Sequence, residues 1–263
     1  MRYRKGTIQV NNPRDIALLR CVLHNRVISR RQLFQLSELS HWERSRECFA
    51  WRVGRMVKYG LLAEHSLSLS PPDDRVYAIT EIGMANLELS GQYFSWVPPV
   101  PPSELEEANV IHTLEVCNVQ LALQQAGLLV HWISGYRLRS DFDNGGTDYA
   151  KVYDAVAEIS VGPSIKKIAI EYERTQKQAQ KYLDIGNKLA AERNVDVILY
   201  LMPNYELIEN VSQHFAPGRF NIVFCLIQEF KRDLLNAQGY TANGIRRVRL
   251  IDVLTRRSRP ALV

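Results

Sequence analysis

A chain of 263 residues is long enough for one large core or two modest ones, and 46% hydrophobic with 23% charged residues is the balance of an ordinary soluble protein. No apolar run approaches the roughly 18 to 20 residues of a membrane-spanning helix, and the charged start MRYRKGTIQV lacks the apolar segment of a secretory signal, so the expectation is a cytoplasmic protein with no membrane partner. The net charge of +5 is uneven, with 14 Lys/Arg against 9 Asp/Glu over residues 1–92, 13 against 18 over 93–236 and 6 against 1 over 237–263, so a basic head and tail flank an acidic middle.

The first predicted helix runs from about Pro13 to His24, with Ile16, Leu19 and Leu23 on one face and Pro13 suited to a first turn. Ser29 is the expected N-cap of a second, in which Leu33 and Leu36 face inward. A third, about His41 to Tyr59, ends where Gly60 can supply a left-handed cap. Two short extended stretches, LLAEHSLSL and RVYAI, follow around the turn-forming SPPDD, and Thr80 caps a fourth helix.

Three helices, a hairpin and a helix are the order of a winged helix-turn-helix, expected over residues 1–92. In that arrangement the third helix lies in the major groove of double-stranded DNA. Phe49, Val53 and Met56 or Val57 form its buried stripe, leaving Arg44, Trp51, Arg55 and Lys58 on the groove-facing side. Arg30 and Arg31, at the start of the second helix, are placed for phosphate contacts. The competing reading is a small helical dimerisation domain with a solvated arginine face.

SWVPPVPPSELEE holds four prolines within six residues and marks a stiff linker at about 93–104. From residue 105 a long helix is expected, with Val110, Leu114, Cys117 and Leu121 at alternating three- and four-residue steps. LLVHWISGYRL then reads as a strand, DFDNGGTDY as a hairpin-type turn, and KVYDAVAEI and KKIAIEYE as two more strands. A helix over about Gln176–Arg193, the strand VDVILYLM, a helix YELIENVSQHF and the strand NIVFCLIQ complete a mixed sheet covered by helices. The basic stretch from residue 237 is expected to be a tail, with an edge strand around Arg247 and Arg249.

Strand alternation puts Val152, Asp154, Val156 and Glu158 on one face, and Ala169, Glu171 and Glu173 on one face of the next strand. If those faces coincide, Asp154 and Glu171 converge on a divalent cation, and hard carboxylate oxygens suit magnesium. Lys177 and Lys181, one turn apart, are candidates to point back over the strand end. The alternative is that Glu171 and Glu173 simply form salt bridges with Lys177, Lys181 or Arg174. His112 reads as a core-edge histidine rather than a ligand, and Glu107 as a possible further acid. Cys21, Cys48, Cys117 and Cys225 show no zinc-ligand spacing and read as buried free thiols.

The element order, with Asp154 in one strand and Glu171 in the next, resembles the core of the PD-(D/E)xK nuclease superfamily. Together with QLxxL, RMVKYGLL, VYAITEIG, HTLEVCNVQLAL and YDAVAEI…IAIEYERT, over roughly residues 13–230, the chain resembles the replication-relaxation family of plasmids and other mobile elements. The resemblance implies an α+β protein: a winged helix followed by a restriction-endonuclease-like domain over 105–236. It implies a DNA-binding accessory role in replication or mobilisation, with other replication or mobilisation proteins as partners and a possible homodimer. If the second domain is active, the resemblance makes Asp154, Glu171, Glu173, Lys177 and Lys181 the catalytic set of an Mg2+-dependent nickase or endonuclease. The sequence departs from that pattern at Glu173, where a lysine is expected, and at Tyr153, where a proline usually precedes the aspartate. A transcriptional regulator with a non-catalytic second domain is the further alternative.

Overall fold

The computed structural model describes residues 10, 14–43, 45–67, 75–91, 106–146, 148–216, 222–242 and 246–256. Arg44, Pro13, the SPPDD turn and the proline-rich stretch lie outside them. The chain divides into two compact units, residues 1–121 and 122–263, each with its own sheet. Among the described residues no helix is long and apolar enough to cross a membrane.

The first unit contains α1 (Arg14–Asn25), β1 (Val27–Ser29), α2 (Arg30–Leu39), α3 (Arg46–Lys58), β2 (Leu62–Ser66), β3 (Arg75–Ile79), α4 (Glu81–Leu89) and most of α5 (Glu107–Gln125). Local chemistry fixes these boundaries. Ser29 accepts the Gln32 N–H while the Gln32 side chain accepts the Ser29 N–H, a reciprocal capping box. Ser45 caps α3, which therefore starts later than the expected His41. Gly60 ends it at φ 70°, its N–H donating to the Val57 carbonyl and that of Leu61 to the Met56 carbonyl, the paired bonds of a Schellman turn.

Strand β1, three residues long and not legible in the sequence, adds to the expected hairpin, so the sheet is antiparallel in the order β1-β3-β2. Phe49, Val53 and Met56 of α3 are buried, as their spacing predicts, with Leu18, Leu19, Ile28, Leu33 and Val76. Val110 of α5 packs with Val27 and Val76, and the Gln32 amide donates to the Leu114 carbonyl and to Asn118 Oδ1, both at 2.7 Å. The division between units thus falls inside α5, later than the boundary read at the prolines. An apolar stripe shows that a helix is buried but not in which core.

The second unit has a seven-stranded mixed sheet in the order β10-β9-β8-β7-β6-β5-β4. Its strands are β4 (Leu129–Ser134), β5 (Ala155–Val161), β6 (Ser164–Tyr172), β7 (Val197–Met202), β8 (Ile222–Leu226), β9 (Gln238–Thr241) and β10 (Arg247–Arg249). Pairs β6–β7 and β7–β8 are parallel, joined through α7 (Ala179–Leu189) and α8 (Tyr205–Ser212), and the remaining pairs are antiparallel. Every residue of β7 is buried, as expected for a strand inside a parallel segment. The architecture is α+β, as the element order implied.

Three segments differ from the sequence reading. The stretch GYRLRSDFD forms a helix, α6 (Gly135–Asp143), capped by Ser134, instead of finishing a strand and opening a hairpin. Residues 151–154 precede β5 instead of belonging to it. The stretch read as a basic tail supplies β9, the edge strand β10 and α10 (Leu250–Leu254), which buries Leu250, Val253 and Leu254. Between β8 and β9, α9 (Ile227–Asp233) buries Ile227 and Phe230.

Candidate functional site

Asp154 stands immediately before β5. In β5 and β6, Ala155 lies opposite Ile170 and Val156 opposite Ala169, so one further step places Asp154 beside Glu171. Asp154 Oδ2 accepts the Tyr172 N–H at 2.8 Å, fastening the carboxylate to the end of β6. Glu171 and Glu173 are both buried, 8% and 6% exposed, on the face they share with Ala169. The acidic faces of the two strands therefore coincide, as the alternation required.

Of the cations that balance these charges, Lys177 was among those the sequence offered for a salt bridge, and Lys151 was not. The Lys151 ammonium hydrogen-bonds Glu171 Oε1 and sits 5.1 Å from the centre of the Tyr153 ring. Lys177 hydrogen-bonds Glu173 Oε2, and its backbone N–H donates to the Tyr182 hydroxyl at 2.9 Å. Lys177 lies in the segment ahead of α7, so it does not share a helical face with Lys181, which is exposed on α7. The pairing of the two expected from their spacing is thus corrected: α7 begins at Ala179, and only Lys177 reaches the acidic strand end.

Burial pushes the Glu171 carboxyl up to about 7; the charge and hydrogen bond of Lys151 pull it down, and Asp154 adds to the rise. Burial lowers Lys177, but the bond and charge of Glu173 outweigh it and hold the ammonium above its ordinary value. Tyr200, opposite Glu171 on β7, is 1% exposed, and its hydroxyl has no hydrogen-bond partner among the described residues. Burial, then Glu171 and Glu173, raise that phenol well above its usual range.

The segment carrying Lys151 and Asp154 is held from two sides. Glu192, buried, accepts the Tyr153 hydroxyl at 2.8 Å and the N–H groups of Ala150, Arg193 and Asn194. Gly135 donates its N–H to the Asp154 carbonyl at 2.8 Å, and a Cβ there would lie 2.7 Å from that oxygen. Tyr153, which replaces the proline of the expected pattern, is therefore a buried anchor.

The carboxylates of Asp154 and Glu171 suit magnesium in kind, but Lys151 already brings one positive charge to the same glutamate. Among the described residues no group of three or more His, Cys, Asp or Glu side chains is placed to hold a metal ion.

In the first unit, α3 presents Trp51, 60% exposed, with the Arg55 guanidinium 4.7 Å from its ring centre, and Lys58 exposed one turn on. Arg30 and Arg31 are exposed at the start of α2. Arg52, on the same helix, turns the other way: it binds Asp15 at 2.6 Å and Glu43, both acids buried, tying α1 and the segment before α3 together. Cys48 is exposed on α3, contrary to the expectation of a buried thiol, because it sits one turn before Trp51 on the outward side; Cys117 and Cys225 are buried and Cys21 half-buried. Comparison with protein families, curated proteins and solved structures finds no match for this chain.

Proposed function

We propose that this is a DNA-binding accessory protein of a plasmid or other mobile element, in which the first unit is a winged helix that docks α3 into the major groove. The observation that carries the reading is the outward face of α3: an exposed Trp51 with Arg55 stacked on it and Lys58 beyond, on a helix whose opposite stripe is buried. Guanidinium and ammonium groups on a helix that fits a groove neutralise phosphates and reach base edges. Arg30 and Arg31, at the N-terminal end of α2, suit the flanking backbone. The mobile-element role rests on the sequence resemblance, as does the nuclease-like reading of the second unit.

The test is duplex binding by the full chain, followed by fluorescence anisotropy across salt concentrations. Lys58→Ala is expected to lower the salt slope by about 1 and weaken binding to all sequences alike. Unchanged affinity and slope in a Trp51→Ala, Arg55→Ala, Lys58→Ala triple variant would remove the α3 reading.

The convergence of Asp154 and Glu171 favours a second reading, Mg2+-dependent cleavage of DNA. Those two residues would hold the ion, which when bound supplies an activated water and charge for the leaving oxygen. Here Lys151 and Lys177 orient and neutralise the carboxylates, and Lys151 must yield Glu171 to the ion. Conversion of supercoiled plasmid to nicked circle with Mg2+ or Mn2+, lost in Asp154→Ala, supports it; equal outcomes from both proteins exclude it.

A further inference from the structure

On the same face of the sheet as Glu171, displaced across β7 and β8 to where α8 meets the added strands β9 and β10, a cleft of about 560 Å³ is lined by Tyr205, Ile208, Glu209, Gln213, Tyr240 and Arg247. Its volume is that of a small-molecule site rather than of a packing defect. The two tyrosine rings stand 6.0 Å apart at 86°. Both hydroxyls are tied down: that of Tyr205 donates to Glu229 Oε1 at 2.6 Å, and that of Tyr240 accepts from Arg247 Nε at 3.2 Å. Fixed hydroxyls leave the ring faces pre-oriented, and Tyr205 is 48% exposed.

We propose that this cleft binds one unpaired nucleotide, its base stacked on a tyrosine and its phosphate beside Arg247. Three features select that chemistry. A tyrosine face stacks any flat heteroaromatic ring and does so without regard to sequence. The Arg247 guanidinium lines the cleft, exposed on the edge strand and 5.7 Å from the Tyr240 ring centre, so a phosphate there meets positive charge, whereas the neighbouring Arg249 is paired with Asp252. Glu209 and Gln213, both exposed on the α8 side of the wall, accept hydrogen bonds from the amino edge of a base, whereas a plain aliphatic or purely anionic ligand would leave Glu209 facing it unpaired. The carboxylates at the ends of β5 and β6 play no part here, and the site stands whether or not α3 binds duplex DNA.

The nucleotide can belong to a single strand or be free, and the full-length protein distinguishes them. A labelled 12-nucleotide single strand and, separately, free GMP and AMP are titrated against the wild type, Tyr205→Ala and Arg247→Gln, with circular dichroism to confirm folding and duplex binding as an internal reference. Single-strand binding weakened about ten-fold by Tyr205→Ala, with duplex affinity unchanged, assigns the cleft to an unpaired strand. The same loss for GMP or AMP, without strand binding, assigns it to a free nucleotide. Binding of neither probe, or equal binding by wild type and both folded variants, overturns the proposal.

Discussion

Glu171 is the carboxylate that folding carries into the neutral pH range. Its folded pKa lies above its ordinary carboxylate value, so the folded state holds the proton more tightly than the unfolded chain. The stabilisation is fully present below the unfolded value and is lost as pH rises through about 7. Melting temperature is therefore expected to fall between about pH 5 and pH 8 in the wild type, and to fall less in Glu171→Gln; identical pH profiles would contradict the assignment. Lys151→Met leaves the same carboxylate buried without its counterion and is expected to cost about 3 kcal/mol, read from denaturant midpoints. Lys151 was out of reach of the sequence because its role depends on a chain reversal between residues 151 and 171. Three residues before the aspartate, it read simply as the start of a strand.

Among the elements, α3 and α6 teach opposite lessons. The α3 stripe was legible from its 3.6-residue period and the Gly60 stop, while the Ser45 start and the choice of Met56 over Val57 came from the structure. Gly54 on its outward side has open space around it, so Gly54→Ala is expected to stabilise by about 1 kcal/mol through helix propensity alone. If α3 docks into a groove, the same substitution weakens duplex binding while raising the melting temperature, a combination a merely solvated face would not give. The α6 segment read as strand because VHWI is apolar and aromatic, and the helix after it is set by the Ser134 cap and by Gly135 pressed against the backbone of 153–154. Gly135→Ala is expected to cost about 2 kcal/mol by overpacking, and in the cleavage reading to misplace Asp154; retained stability would show that the approach is looser than 2.7 Å.

For the whole molecule, the assignment of α5 matters most. Val110 and the Gln32 bonds to Leu114 and Asn118 place its first part in the unit of residues 1–121. A fragment ending at residue 121 is therefore expected to melt cooperatively at a higher temperature than one ending at 92. Equal melting of the two would show that α5 adds nothing to that core.

The sequence alone determined what depends on near neighbours along the chain. Caps at Ser29, Thr80 and Gly60, the alternation that put Glu171 and Glu173 on one face, and the apolar runs of β7 and β8 all follow from local sterics and period, whereas the register that set Asp154 beside Glu171 came from strand pairing. Tertiary structure decided what depends on distant partners: Lys151 on Glu171, Glu192 under Tyr153, the burial of the Tyr200 hydroxyl beside the acidic strand end, the inward turn of Arg52, and the two strands built from a stretch that read as a tail. Those outcomes are set by which segments meet in space, and burial then fixes the energetic weight of each charge and hydroxyl.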